Sequence, residues 1–347
     1  MTHALLLPLP GPGARAGRRS LPALMRRWPV GEATGFQPLA EGLMNRNYRI
    51  DTRAGPFFLK QFLDIGRKQI AFQHRVTATL AAAGLPIPAP IPARDGRTLV
   101  TVRGQQFSLY PWVSGSHRQG LDMPLAECAE LGRLLGRLHA ELGAALPPIQ
   151  QTLLLPTAHA ADTLVLIEEL LSALRAQPVR DDFDDLAEQR LVERRSLLAQ
   201  LADQRPPDCG TLTAGYVHGD FHALNLLYAG GELVAILDWD RLSVRPYTHE
   251  LVRAATLLFG YGDERGLDLA RVRAFADAYR EVFFLDGEQI RSAARRLWWE
   301  RLNDFWMLKW RYQRGDRSCD HLFPGAAALV QWWTERYDET LDAFASP

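Results

Sequence analysis

The segment His218-Gly219-Asp220-Phe221-His222-Ala223-Leu224-Asn225 sets a carboxylate and a carboxamide on one short loop. Asp238-Trp239-Asp240 follows at the end of an apolar run, with Asp238 thirteen residues beyond Asn225. Such a set can move a phosphoryl group. Asp220 can accept the proton of a hydroxyl, while Asn225 and Asp238 offer hard oxygen ligands to a nucleotide-bound Mg²⁺. The transfer asks for little beyond positioning and charge neutralisation. Each residue also has a plainer explanation, since Asp and Asn favour turns and Asp238 can cap a strand. A different chemistry is open to His218-x-Asp220-x-His222, whose residue types suit a transition metal and so a metal-dependent hydrolase. No third imidazole or thiolate stands nearby in sequence, and the two histidines are expected to brace the loop.

The elements around these residues give the spacing its meaning. Leu224 to Tyr228 and Leu233 to Leu237 read as strands joined through Gly230-Gly231, a hairpin that returns Asp238 to the neighbourhood of Asn225. Upstream, short aromatic or β-branched runs at 36–39, 48–50, 57–62, 98–102 and 107–112 are separated by Gly, Pro and Asp. One helix is expected at about 67–83, closed by Gly84, Pro86 and Pro88. Beyond Gly115 the pattern turns helical. Leu131, Leu134, Leu135, Leu138 and Leu142 form a buried stripe, and helices are expected near 159–176, 185–203, 267–284, 287–313 and 325–343. The class is α+β in two lobes: a small sheet with one helix over 21–112 and a mainly helical lobe over 113–347, after a flexible tail at 1–20.

Composition bounds the rest. A chain of 347 residues that is 47% hydrophobic can bury a large core, and a formal net charge of zero argues against nucleic acid as a partner. The cysteines Cys128, Cys209 and Cys319 are scattered and form no CxxC pair, as expected of a reduced cytoplasmic protein without structural zinc. The proline-broken start does not read as a signal peptide, and no apolar run has the length of a membrane span. Of 40 basic residues only Lys60, Lys68 and Lys309 are lysine. A lysine in a chemically meaningful place is therefore notable, because a guanidinium does not replace a compact ammonium everywhere.

The run HGDFHALN followed by ILDWD resembles the aminoglycoside phosphotransferase family, which includes homoserine, choline and methylthioribose kinase relatives with a protein-kinase-like fold. Gly42 to Tyr48, Phe57 to Lys60, Gly84 to Pro88, Tyr110 to Gly115 and Leu135 to His139 occur in the family's order, so the likeness covers about 36–255. It implies an ATP- and Mg²⁺-dependent kinase acting on a small-molecule hydroxyl, with Asp220 as base and Asn225 and Asp238 as metal ligands. By the same resemblance Lys60 contacts nucleotide phosphates, and strand alternation can turn Lys60 and Phe58 to one face. The loop from Glu41 to Asn47 would cover the phosphates with Gly42 as its one glycine and Asn45 among its turn formers. Tyr110, Trp112 and Val113 fall on the segment that grips the base, where side chains do not distinguish ATP from GTP. Asp240 would bind a second metal or brace the loop.

One departure stands out. Kinases of this fold pair the strand lysine with a helix glutamate, yet residues 65–94 contain no Asp or Glu, and Gln73 stands at about the expected place. This keeps open a catalytically silent nucleotide-binding module. Glu250 is expected to brace the loop. For the acceptor, the acidic stretch 181–185 suits a polycation, and an amino sugar, aminoglycoside or other sugar-bearing antibiotic is the first expectation. Arg295, Arg296, Arg311 and Arg314 would instead suit a carboxylate, as a homoserine-like acceptor requires; a choline-like amino alcohol stands beside it. Trp298, Trp299, Trp306, Trp310, Tyr312, Trp332 and Trp333 are expected to be mostly core, with one or two free to line a pocket.

Overall fold

The computed structural model describes residues 21–39, 45–147, 153, 155–208 and 213–345; the 1–20 tail, Gly42 and Cys209 lie outside them. A short helix α1 (Leu21–Met25) precedes an antiparallel sheet of five strands in the order β1-β2-β3-β5-β4. These are β1 (Ala33–Leu39), β2 (Asn45–Thr52), β3 (Gly55–Phe62), β4 (Val100–Val102) and β5 (Gln105–Pro111). Gly55 turns β2 into β3 at φ +118, a conformation closed to most side chains. Alternation along β3 sends Phe57 and Leu59 to one face, where Leu24, Met25 and Trp28 cover them. Phe58, Lys60 and Phe62 are left for the opposite face. The segment before β1, to which no element was assigned from sequence, therefore closes one side of the sheet, and Trp28 donates from Nε1 to the Ile91 carbonyl at 3.1 Å.

Helix α2 (Arg67–Ala82) links β3 to β4. Its Val76 and Leu80, with Leu85 and Ile87 after it, join the large core of the helical lobe. The helix thus belongs to the sheet by connection and to both lobes by packing.

That lobe is built from α3 (Leu125–Ala145), α4 (Ala160–Arg175), α5 (Asp182–Leu201), α6 (Tyr247–Leu258), α7 (Leu269–Val282), α8 (Gly287–Asn303), α9 (Trp306–Arg314), α10 (Phe323–Glu335) and α11 (Tyr337–Phe344). α3 lies directly on α7 because Gly132 carries no side chain: a Cβ there would sit 2.1 Å from the Phe275 carbonyl oxygen. The single helix expected over 287–313 is two helices. Asp304 ends α8, and its side chain accepts the Trp306 backbone N–H at 3.1 Å, starting α9 at a new angle. Trp298, Trp299 and Trp333 are buried in the core, while Trp306 and Trp310 pack against it half-buried. The acidic stretch is also structural. Asp181 caps α5 in a reciprocal box with Asp184, and Arg311 reaches both carboxylates at 2.8 Å.

Four short strands carry the site: β6 (Ala214–Val217) pairs with β9 (Ser243–Pro246), and β7 (Leu226–Ala229) with β8 (Glu232–Ile236). β6 and β9 escaped sequence reading because four residues are too few to show a period.

Two outcomes follow from this packing. Gly132→Ala should destabilise the protein by on the order of 1–3 kcal/mol, read as a Tm lowered by several degrees, since backbone must move to admit the methyl group. His74, buried under β5, meets Thr98 at 2.8 Å, Tyr110 at 3.1 Å and the charge of Lys60; burial first and Lys60 second lower its pKa to about 4. The folded state therefore resists a proton that the unfolded chain takes up. Stability should be complete above pH 6.5 and decline as pH falls toward 4, by up to about 3 kcal/mol. Urea midpoints measured at pH 7 and pH 5 should separate less in His74→Gln than in the wild type; equal separation would refute the assignment.

Candidate active site

The loop after β6 is held from inside the protein. Val217 and His218 are buried, and His218 uses both ring nitrogens: Nε2 donates to the Leu237 carbonyl at 2.8 Å, and Nδ1 accepts the Asp220 backbone N–H at 3.2 Å. Burial lowers its pKa, so the neutral ring is the stable form. Both nitrogens are spent on bracing, which leaves His218 no lone pair for a metal. His222 braces too, accepting the Leu224 N–H on Nδ1 at 3.3 Å. Among the described residues no group of three or more His, Cys, Asp and Glu is placed to hold a metal ion.

Glu250 on α6 completes the support. It accepts the His218 N–H at 3.1 Å and the Gly219 N–H through its other oxygen. His139 on α3 lies 2.7 Å away and bonds Tyr279 of α7 in turn at 2.6 Å. Burial pushes the Glu250 pKa up, but the His139 contact and the two backbone donors outweigh it and hold the carboxyl below its ordinary value. Gly219 has φ +84, and a Cβ there would stand 2.4 Å from the Arg241 carbonyl oxygen, so the sharp turn into Asp220 needs glycine.

The hairpin does what its spacing predicts. Gly230 and Gly231 take φ +60 and +90, the signature of a tight β-turn, and the returning strand ends with the Leu237 N–H donating to the Asn225 carbonyl at 2.8 Å. Asp238 follows in a left-handed conformation, φ 54 and ψ 77. Asn225 gives its amide hydrogens to the Asp220 carbonyl at 2.8 Å, which leaves its Oδ1 for a cation. An amide oxygen beside the Asp238 carboxylate is a hard donor set that fits Mg²⁺.

From the other lobe, Lys60 reaches both carboxylates of the Asp-Trp-Asp run: 3.0 Å to Asp238 and 2.8 Å to Asp240. Burial raises the Asp238 pKa, and the charge and hydrogen bond of Lys60 lower it further than burial lifts it. Asn45 and Gln73 also bond Asp240, at 2.6 and 3.1 Å. Tyr110 lines the same face of the sheet beside Phe58, its hydroxyl held by His74. Trp112 is not part of this cluster; it lies beneath the Arg49 guanidinium at 4.8 Å, and Val113 beside it is half-buried.

Asp220 is half-buried and ringed by cations. Arg253 is 3.1 Å from Oδ1, with His222 at 3.4 Å and Arg241 at 3.7 Å from Oδ2. Burial raises its pKa, but the His222 hydrogen bond and the two guanidinium charges hold it well below the usual carboxylate range. Neither arginine was singled out from sequence. Arg253 was legible in principle, since it stands three residues after Glu250 and shares its helix face. With Gln119, His222, Ala223, Leu224 and Leu257, Asp220 and Arg253 border a cavity of about 340 Å³.

Comparison with known proteins agrees with this arrangement. The homoserine kinase of Methylobacillus flagellatus is 27% identical over 290 residues, covering 81% of this chain and 83% of the relative. The spectinomycin phosphotransferase APH(9)-Ia, solved with ADP and spectinomycin, superposes with a TM-score of 0.65 at 17% identity over 92% of this chain and 98% of that one. An amicoumacin kinase solved with AMP-PNP, Ca²⁺ and its antibiotic gives 0.60 at 17% identity over 93% and 94%. Both show the protein-kinase-like fold. Among the described residues no helix is long and apolar enough to cross a membrane. The family model described as the phosphotransferase enzyme family (APH) matches residues 35–285. With the model covering most of its length, the chain belongs to the APH family and is a kinase that transfers phosphoryl groups to a small molecule.

Proposed function

We propose that the protein is an ATP- and Mg²⁺-dependent kinase for a small amino-acid alcohol with a free carboxylate, of which homoserine is the type. The observation that carries the acceptor class is the arginine at Asp220. Arg253 projects from α6 onto the cavity that Asp220 borders. Behind it stands Arg301, whose pKa is lowered to about 10 by burial and then by the charge of Arg253, with Asp304 compensating only in part. The Arg301 Nε has no hydrogen-bond partner. Two neighbouring guanidinium groups, one with a donor unspent, suit a carboxylate. An aminoglycoside carries several positive charges and would meet them with the wrong sign. The acidic stretch that would attract it is occupied by Arg311 and Arg180. The homoserine kinase relatives point the same way.

In this reading Asp220 orients the acceptor hydroxyl. The hydroxyl oxygen forms a bond to the γ-phosphorus as the bond to the bridging oxygen of ADP breaks, and its proton passes to Asp220. A carboxylate held this far below its ordinary pKa is a weak base, so the proton moves late and positioning supplies most of the effect. Asn225 and Asp238 would hold Mg²⁺, which neutralises phosphate charge when bound. Lys60 supplies an ammonium at the phosphates. Gly42, outside the described residues, and Asn45 belong to the strip that covers them, with Tyr110, Trp112 and Val113 beside the base.

Coupled measurement of ADP release with homoserine, 3-aminopropanol and an aminoglycoside panel tests the reading. Asp220→Asn should lower kcat by about 10²–10⁴-fold while Mg-ATP still binds. Nucleotide binding without turnover on any acceptor would favour the silent module instead. Arg253→Ala should raise the homoserine KM by about tenfold or more and leave 3-aminopropanol, which lacks the carboxylate, unchanged. Equal loss on both acceptors would remove the carboxylate from the proposal.

A further inference from the structure

The kinase reading leaves one requirement without its ordinary provider. The lysine at the phosphates must be held in place, and no Asp or Glu exists between residues 65 and 94 to hold it from α2. The geometry points to Asp240 as the replacement: we propose that it is the ion-pair partner of Lys60, anchored from the N-lobe by Gln73 and Asn45, and that the carboxylate ordinarily carried by the helix has moved to the opposite lobe.

The hydrogen bonds account for every oxygen of that carboxylate. Oδ2 accepts from Lys60 at 2.8 Å and from Asn45 at 2.6 Å, and Oδ1 accepts from Gln73 at 3.1 Å. A fourth donor, the Gln69 side chain, reaches the Asp240 carbonyl at 3.4 Å. Lys60 and Asp240 have side-chain exposures of 8% and 17%, whereas Asp238 is 44% exposed. The pair with Asp240 is therefore the better shielded from water, where a charge interaction is stronger. Asp238 remains the accessible carboxylate, and Asp240, its oxygens already spent on three donors, is a positioning residue and not a second metal ligand. Gln73 occupies the place of the absent glutamate but donates where that residue would accept. The contact has a consequence for motion. A lysine paired to its own lobe can stay ordered while the lobes part; here β2, β3 and α2 all attach to one residue of the other lobe, so ordering Lys60 and closing the cleft are one event.

A polarity swap tests this. Asp240→Asn alone should raise the ATP KM by about tenfold with the acceptor KM little changed, and Gln73→Glu alone, which crowds two carboxylates, should also impair binding. The double variant Gln73→Glu/Asp240→Asn restores the charge count: Lys60 donates to the side-chain oxygen of the introduced asparagine, whose amide donates to the introduced glutamate. Its ATP KM should return to within about threefold of wild type. Titration with a fluorescent ATP analogue in EDTA separates a metal role, because the Asp240→Asn defect should persist without Mg²⁺. Additive defects in the double variant, or a defect confined to Mg²⁺-containing buffer, would overturn the proposal. Hydrogen exchange across 67–82 in the nucleotide-free protein reads the anchor apart from catalysis. Protection lost in Asp240→Asn and regained in the double variant supports it even if no nucleotide binds, an outcome that would defeat the kinase reading alone. Unchanged protection in Asp240→Asn would defeat the anchor and leave the kinase reading intact.

Discussion

A buried carboxylate organises the catalytic lobe. Glu250 is almost fully enclosed, and an ion in that position is tolerated only when its oxygens are matched by donors. The donors come from three directions: the backbone of the catalytic loop, His139 on α3 and, through His139, Tyr279 on α7. The same atoms that satisfy the charge fix where the loop leaves β6. The close approach of α3 and α7 at Gly132 sets the spacing of that polar cluster, so packing of the helical core and position of Asp220 are linked mechanically.

The active face then divides into two charge sets of opposite arrangement. On the nucleotide side one ammonium, Lys60, stands among two carboxylates; on the acceptor side one carboxylate, Asp220, stands among two arginines and a histidine. Asp220 remains ionised because its cations outweigh its burial. A site with a spare negative charge on one side and spare positive charge on the other suits a metal-bound nucleotide meeting an anionic acceptor. It is a poor match for a polycation.

Much of this was legible in the sequence, and the limits have physical causes. The Gly230-Gly231 turn encodes its own geometry, because successive positive φ angles are closed to most other residues, so the return of Asp238 to Asn225 follows from local chemistry. Helices with a long apolar stripe were legible for the same reason, their period being a property of neighbours in the chain. The break at Asp304 was not, since one side-chain hydrogen bond competes with a continuous helical pattern and leaves no periodic trace. The tryptophans and the acidic stretch showed their residue types but not their surroundings: Arg311, which neutralises Asp181 and Asp184, lies over a hundred residues away.

The sequence by itself determined the reaction-bearing set, Asp220, Asn225 and Asp238, because a loop and a two-glycine hairpin bring them together through bonds between near neighbours. Only the tertiary structure decided what surrounds that set. Lys60, Gln73 and Asn45 meet Asp240 across 167 to 195 positions of chain, and Arg253 meets Asp220 from another helix. Charge pairing acts through space and carries no periodicity, so the partner of a lysine can move from one lobe to the other without leaving any local mark except the missing glutamate.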